Sequence, residues 1–387
     1  MRPQKLSDLS ENMRLALRFA RRGYGATSPN PMVGAVLAKS GQVIGRGWHR
    51  QAGGPHAEIE ALSDAHKRGH DPRGAILYVT LEPCCTQGRT PPCTEAIIAA
   101  GVQRVVVGAV DPNPEHSGRG FRILRRAGIE VVHGVLAAEC ARLNEAFNHW
   151  MIHRTPFVTV KAAMTLDGKI ATASGESKWI SGQKARAYGM KLRRSSDAIL
   201  VGINTILQDD PSLTFRRGPI SQVNRQPPGL RRVILDSLAR TPLTAKVVSD
   251  EHAALTTIVV SKTAPKWRVA ALAKRVKILI APAAKVQRSR RDTPARIDLR
   301  WLLRRLGAEK VTSLLVEGGG EVNASFLLGG FAQRVVFFYA PKILGGRDAR
   351  KGVAGDGVKS LSEVIQLREI GWRRLGSDLL LTARTAD

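Results

Sequence analysis

Short, nearly uninterrupted runs of β-branched and aliphatic residues recur along this chain, each separated from the next by a stretch with helical patterning. The clearest are "AILYVT" (75–80), "RVVVGAV" (104–110), "DAILVG" (197–202), "RRVILD" (231–236), "TTIVVS" (256–261) and "SLLVEGGG" (313–320). Strands of this kind, alternating with helices, predict an α/β protein whose sheets carry helices on their faces. In the first part, Val33–Leu37 and Gln42–Gly47 read as a hairpin around Ser40-Gly41, and Ala57–Arg68 as a helix. Strands over Ile76–Leu81, Arg104–Val110 and Ile129–His133 alternate with helices over Thr94–Ala100 and Gly120–Ala127, which Gly101 and Gly128 end. Thr155-Pro156 reads as a boundary, after which a second α/β cycle begins with "FVTVKAAM". A chain of 387 residues is too long for one ordinary core. Two unlike domains, 1–154 and 155–387, are expected, with no internal repeat.

The N-terminal stretch reads as an amphipathic helix, because Arg14 and Arg18 interrupt every apolar run long enough to be a signal core. No segment approaches the ~18 apolar residues of a membrane span, so a cytoplasmic protein without membrane contact is the expectation. Four cysteines, three of them clustered, point to metal binding or packing rather than a disulfide framework. The formal charge of +28 allows a polyanionic partner. The basic residues are dispersed, however, and the dense clusters at 215–232 and 285–305 read as loops or insertions. A solvated face explains them equally, and specific nucleic-acid binding is not expected.

"GGPHAEIEAL" (53–62) places His56 and Glu58 two residues apart at a helix start. Alone, that pair reads as an ordinary surface helix start. Downstream, "LEPCCTQGRTPPC" (81–93) follows a strand and adds Cys84, preceded by Pro83, and Cys93. A hydrolytic zinc site needs three protein ligands and one position for water. His56, Cys84 and Cys93 form that set, and Glu58 stays free to shuttle a proton as general base and acid. The order H-x-E then P-C…C is that of zinc-dependent nucleobase deaminases, although eight residues rather than two separate the cysteines. Structural zinc is the competing reading. Cys85 and Cys140 read as packing residues, since a fourth sulfur would close the metal to water.

At this point the chain resembles the bifunctional deaminase/reductase family of bacterial riboflavin biosynthesis, over nearly its whole length. The resemblance rests on "SPNPMVGAVL" (28–37), "GWHRQAGGPHAEIEAL" (47–62), "YVTLEPCCTQGRTPPC" (78–93) and "VDPNPEHSGRGFRILRRAGIEV" (110–131). In the second half it rests on "MTLDGKIATASGESKWIS" (164–181), "DAILVGINTILQDDPSLTFR" (197–216) and "VEGGGEVNASFL" (316–327). It implies a cytidine-deaminase-like zinc domain followed by a dihydrofolate-reductase-like α/β domain, with zinc and NADPH as cofactors and a homo-oligomeric assembly. The first half would remove the 2-amino group of a diaminopyrimidinone carrying ribosylamine 5-phosphate, with Glu58 moving the proton and Asn30 and the Gly53-Gly54 loop near substrate. The second would reduce the ribosyl group of the product to ribityl. One departure stands out: Thr86 occupies a position where the family commonly has histidine, which reshapes any contact that histidine makes.

The second half has no G-x-G-x-x-G between a first strand and helix, which argues against a classical dinucleotide fold. "VEGGG" (316–320) opens a helix, and reads either as a phosphate cradle or as a tight turn. The resemblance implies an NADPH site of Ala163, Trp179, Thr205, Asp209 and Ser237 with Gly319, Gly320, Glu321, Val322 and Asn323. It assigns Ser177, Arg193, Leu213, Arg216 and Glu317 to the ribosyl phosphate, and guanidinium forks suit a phosphate monoester. Without it, Arg193 in "KLRRSSD" reads as a surface helix arginine. Asp167-Gly168 reads as a turn that shapes the pocket, leaving solvent to supply the proton. A nucleic-acid-editing deaminase would share the zinc chemistry and account for the charge, but has no use for the motifs after residue 155. A basic binding protein with structural zinc is disfavoured by the free Glu58.

Overall fold

The computed structural model describes residues 6–87, 91–215, 229–284 and 297–386. The chain divides into two compact units, Met1–Arg154 and Thr155–Asp387.

The first unit runs α1 (Leu6–Ala20), β1 (Gly34–Lys39), β2 (Gln42–Trp48), α2 (Ala57–Lys67), β3 (Ile76–Leu81), α3 (Cys93–Ala99), β4 (Arg104–Ala109), α4 (Arg119–Arg126), β5 (Glu130–His133), α5 (Ala137–Leu143) and α6 (Glu145–His153). Its sheet has the order β2-β1-β3-β4-β5, with β1 antiparallel to both neighbours and β3, β4 and β5 parallel. Both faces are buried, and successive residues separate onto them as the pleat demands. Leu77, Val79, Val105 and Val107 pack with Ala61, Ile97 and Leu124 of α2, α3 and α4. Tyr78 and Val106 pack with Met13, Ala16 and Leu17 of α1 and with Cys140 of α5. The expected hairpin forms, with Ser40 and Gly41 both at positive φ.

The second unit continues with β6 (Phe157–Thr165), β7 (Lys169–Ala171), α7 (Gln183–Arg194), β8 (Ala198–Gly202), α8 (Ile203–Asp209), β9 (Arg231–Leu235), α9 (Lys246–Ser249), β10 (Thr256–Ser261), α10 (Lys266–Ala273) and β11 (Lys277–Ala281). It ends with α11 (Leu299–Ala308), β12 (Ser313–Val316), α12 (Gly320–Leu328), β13 (Arg334–Ala340), β14 (Arg350–Lys351), β15 (Leu367–Leu375) and β16 (Asp378–Thr385). The main sheet has the order β11-β10-β9-β8-β12-β6-β13-β16-β15, parallel from β11 to β13 and closed at one edge by the antiparallel pair β16 and β15. Alternate residues again face opposite layers: Leu200 and Leu314 meet Leu302 and Leu306 of α11, while Ile199 and Ile258 meet Ile206 of α8 and Leu272 of α10.

Two readings of the basic clusters need correction. Residues 299–305, expected in a loop, belong to α11. Asp298 caps it by accepting from the Trp301 N–H at 3.0 Å, and Leu299, Leu302, Leu303 and Leu306 form its buried stripe. The arginines between them had masked a 3.6-residue period. Arg231 and Arg232 lie in β9, within the expected strand "RRVILD", but Arg232 is no solvated charge: its side chain is fully buried against Asp250. The remainder of both clusters, 216–228 and 285–296, lies outside the described residues.

Candidate active sites

Helix α2 lies directly on β2: a Cβ at Gly47 would sit 2.2 Å from the Ala57 carbonyl oxygen, so only glycine admits the helix at this height. That approach fixes the start of α2, where His56 is the extended N-cap residue and Glu58 is the second helical residue. Cys84 follows β3, and Cys93 opens α3. The Cys93 N–H donates to Cys84 Sγ at 3.2 Å and the Thr94 N–H to the Cys84 carbonyl at 3.2 Å. The long gap between the cysteines is therefore closed by the first turn of α3. The "GRT" of that gap (88–90) lies outside the described residues.

His56 Nδ1 stands 3.4 Å from Cys84 Sγ and 3.3 Å from Cys93 Sγ. Among the described residues these three alone form a metal-competent group, their donor atoms all within 4.8 Å of one another. Cys85 is not part of it, and Cys140 is buried against Gly108, where a Cβ would meet its sulfur at 2.3 Å. Hydrogen bonding between the two thiols pushes Cys84 down to about 4 and Cys93 up, so a thiolate is already favoured here. The Cys84 contact raises His56. Glu58 is 3 % exposed and its Oε2 has no hydrogen-bond partner among the described residues. Burial, then the Cys84 charge, pushes its carboxyl up to about 7, so it can take and return protons near neutrality.

Two residues that the sequence reading did not single out complete this site. His49 is buried at the end of β2's hairpin arm, its ring 5.3 Å from that of His56. Its Nδ1–H donates to the Pro55 carbonyl at 2.9 Å, leaving Nε2 to accept from Asn30 Nδ2 at 3.1 Å. Desolvation lowers its pKa and keeps the ring neutral. Asn144, between α5 and α6, accepts from the Met32 N–H at 2.8 Å and donates to the Met32 carbonyl at 2.9 Å, clamping the turn that carries Asn30. The only available signal was the "GWH" triplet; Asn144 had none, because its partner is far away in sequence.

In the second unit, Ala163 lies on β6, Thr205 and Asp209 lie on α8 after β8, Ser237 follows β9, and Gly319–Asn323 follow β12 at the start of α12. Strands β9-β8-β12-β6 are neighbours in the sheet and parallel, the arrangement at whose carboxyl edge α/β sheets bind ligands. A Cβ at Gly320 would lie 2.2 Å from the Lys351 carbonyl oxygen, whereas one at Gly319 meets nothing within 4 Å. Gly319 is the N-cap residue of α12. Asn323 is fully buried and donates to the Gly352 carbonyl at 2.8 Å, while Glu321 accepts from the Gly355 N–H at 3.3 Å. Trp179 is 65 % exposed with the Arg186 guanidinium 4.6 Å from its ring centroid.

Arg193 is not a surface residue. It forks onto Glu317 with Nε–Oε1 at 3.0 Å and Nη2–Oε2 at 2.9 Å, and donates to the Thr214 carbonyl at 2.8 Å. Lys161 Nζ lies 3.7 Å from the same carboxylate. Burial alone would raise Glu317, but Lys161 and Arg193 hold it down at about 2. Ser177 donates to Asp209 at 3.3 Å, and Leu213 is buried with φ of +50°. Arg216 lies outside the described residues. Asp167 accepts from Thr165 Oγ1, Leu344 N–H and Gly345 N–H in the expected turn, whose Gly168 has φ of +77°.

Residues 6–109 match the cytidine and deoxycytidylate deaminase zinc-binding region, and residues 156–381 match the RibD C-terminal domain. The riboflavin biosynthesis protein RibD of Aquifex aeolicus is 43 % identical over 371 residues, covering 95 % of this chain and 96 % of its own length. The chain belongs to the RibD family. Among solved structures, RibD of Acinetobacter baumannii aligns with a TM-score of 0.85 at 35 % identity, covering 99 % of this chain and 100 % of that one. The diaminohydroxyphosphoribosylaminopyrimidine deaminase/5-amino-6-(5-phosphoribosylamino)uracil reductase of Thermotoga maritima aligns at 0.82 and 36 % identity, covering 98 % and 99 %. The chain is thus a bifunctional enzyme of riboflavin biosynthesis. A cytidine-deaminase-like zinc-binding domain precedes a dihydrofolate-reductase-like domain of the NADPH-dependent type. Its residues fit zinc, with a Cys₂His donor set beside a buried carboxylate oxygen that has no hydrogen-bond partner among the described residues, and a Cβ at Gly319 would meet only open space at the start of α12.

Proposed function

We propose that the first unit hydrolyses the 2-amino group of 2,5-diamino-6-ribosylamino-4(3H)-pyrimidinone 5′-phosphate. The second reduces the ribosyl group of 5-amino-6-(5-phosphoribosylamino)uracil to ribityl with NADPH. The observation that carries the first step is the unpartnered Glu58 Oε2 beside His56, Cys84 and Cys93. Zinc, held by those three, would supply Lewis acidity that eases loss of a proton from water near neutral pH. Glu58 takes a proton from the attacking water as its oxygen bonds to ring carbon C2, and returns that proton to the amine as the C2–N bond breaks, so that ammonia leaves. Neutral His49 holds Asn30 toward the pyrimidine, and Asn144 keeps the Asn30 turn in place.

In the second unit, Ala163, Trp179, Thr205, Asp209, Ser237 and Gly319–Asn323 form the NADPH site, Asn323 by bracing residue 352. Ser177, Leu213, Arg216 and Glu317 border the ribosyl phosphate. Arg193 orients Glu317, because its fork is already engaged. NADPH supplies hydride, and solvent supplies the proton. A cytoplasmic homo-oligomer is the working context, and the exposed Ile370 and Trp372 of edge strand β15 are apolar surface that an oligomer would cover. Among the described residues no helix is long and apolar enough to cross a membrane.

Two measurements test this reading. Cys93→Ser is expected to lose zinc and deamination together while NADPH-dependent reduction of the deaminated intermediate continues; full zinc occupancy by elemental analysis would exclude the assigned ligands. Random DNA or RNA should bind weakly and release steeply with salt, since the positive charge is dispersed and part of it is internal. Sequence-selective binding that survives physiological salt would favour nucleic-acid editing instead.

A further inference from the structure

The segment Asp210–Phe215 joins α8 to the residues beyond 215, and Leu213 holds a backbone conformation that bulky side chains rarely adopt. Asp210 also lies at positive φ, +37°. A segment with two such bends needs something to hold it. Three cationic side chains meet it, on every second carbonyl. Lys246 Nζ donates to the Asp210 carbonyl at 3.1 Å, Arg232 Nη1 to Ser212 at 3.0 Å, and Arg193 Nη1 to Thr214 at 2.8 Å. The Leu213 side chain is meanwhile anchored in the core with Ile199, Ile206 and Ile234.

Arg232 is the central and most constrained of the three. Its guanidinium is wholly buried on β9, with Nε donating to Thr256 Oγ1 at 2.8 Å and Nη2 to the Val247 carbonyl at 3.1 Å. Nη1 and Nη2 also grip Asp250 at 2.6 and 2.8 Å. Those contacts tie β9 to β10 and α9 and would suffice for a structural arginine. The additional bond to Ser212 reaches out of that network to the segment. A charge-assisted bond from a side chain that cannot move is a stiff restraint.

We propose that Asp210–Phe215 is a pre-set rail for the ribosyl phosphate substrate, fixed by Lys246, Arg232 and Arg193 on alternate carbonyls, and that Arg232 is its principal positioning residue. The inference rests on the reading that Leu213 borders that substrate. Arg232 touches neither substrate nor cofactor. It sets the backbone against which the substrate is oriented, so its loss costs binding and alignment while leaving the Gly319 cradle intact.

The test is Arg232→Lys in the full-length protein. Lysine keeps a positive charge against Asp250 but has no second arm for Ser212. Expected are a rise of roughly ten- to a hundredfold in KM for the deaminated ribosyl phosphate, unchanged NADPH affinity and unchanged deaminase turnover. The double variant Arg232→Met with Asp250→Asn, which leaves no unpaired buried charge, should show the same split and serves if lysine prevents folding. An unchanged KM in a folded variant overturns the proposal, as does a loss of NADPH affinity that parallels the loss of substrate. Ser177→Ala separates the two levels. If it raises KM while Arg232→Lys does not, the rail alone fails; if neither changes KM, the substrate placement fails with it.

Discussion

Glu58→Gln is expected to lower deaminase turnover by ~10² to 10⁴, the usual worth of a positioned proton-transfer group, without changing zinc content. The substitution keeps the shape of the side chain and leaves His56, Cys84 and Cys93 in place. It removes the group that must take a proton from water and return it to the leaving amine. A buried carboxyl pushed up to about 7 is suited to both halves of that transfer, and an amide to neither. Reduction in the second unit should proceed at its normal rate. Separate assays of the two half-reactions, with zinc measured on the same preparation, give the answer. Near-normal deamination by Glu58→Gln would remove this residue from the mechanism.

Glu317→Gln is expected to destabilise the second unit by ~3 to 5 kcal/mol at neutral pH, because it strands Arg193 and Lys161 opposite a neutral group in a buried site. The wild-type carboxyl titrates at about 2 instead of its ordinary 4.5, so folding favours its ionised form. Its contribution is complete above pH ~4.5 and is lost as pH falls toward 2. Linkage over that interval amounts to about 3 kcal/mol. The wild-type and variant stabilities should therefore converge in acid. Calorimetry of both proteins at pH 7 and near pH 3 measures this, and a gap that stays constant with pH would show that charge pairing is not what Glu317 contributes. Activity should fall as well, since the freed Arg193 loses its register on Thr214.

The fold was largely legible because its strands are continuous apolar runs and its stops are glycines. Gly101 and Gly128, both at positive φ, end helices where the sequence places them. The donor set was legible for a different reason: histidine, proline and cysteine in that order leave few alternatives. What stayed hidden involves charge turned inward. Arginines between the leucines of α11 disguised a buried stripe, and Arg193 and Arg232 resembled surface charges until their partners, Glu317 and Asp250, were brought to them by the sheet. A pairing across 124 residues leaves no local trace. His49 left only the weak "GWH" signal, since its hydrogen bond is to Asn30, on a different turn.

The clamp between Asn144 and Met32 spans 112 residues, and this sets an order of events during synthesis. At ribosomal rates of ~5 to 20 residues per second, the Met32 amide and carbonyl wait roughly 6 to 22 s for their partner to be made. His56, Cys84 and Cys93 all emerge earlier. The sequence positions of all three metal donors are thus translated before the residue that locks the turn bearing Asn30.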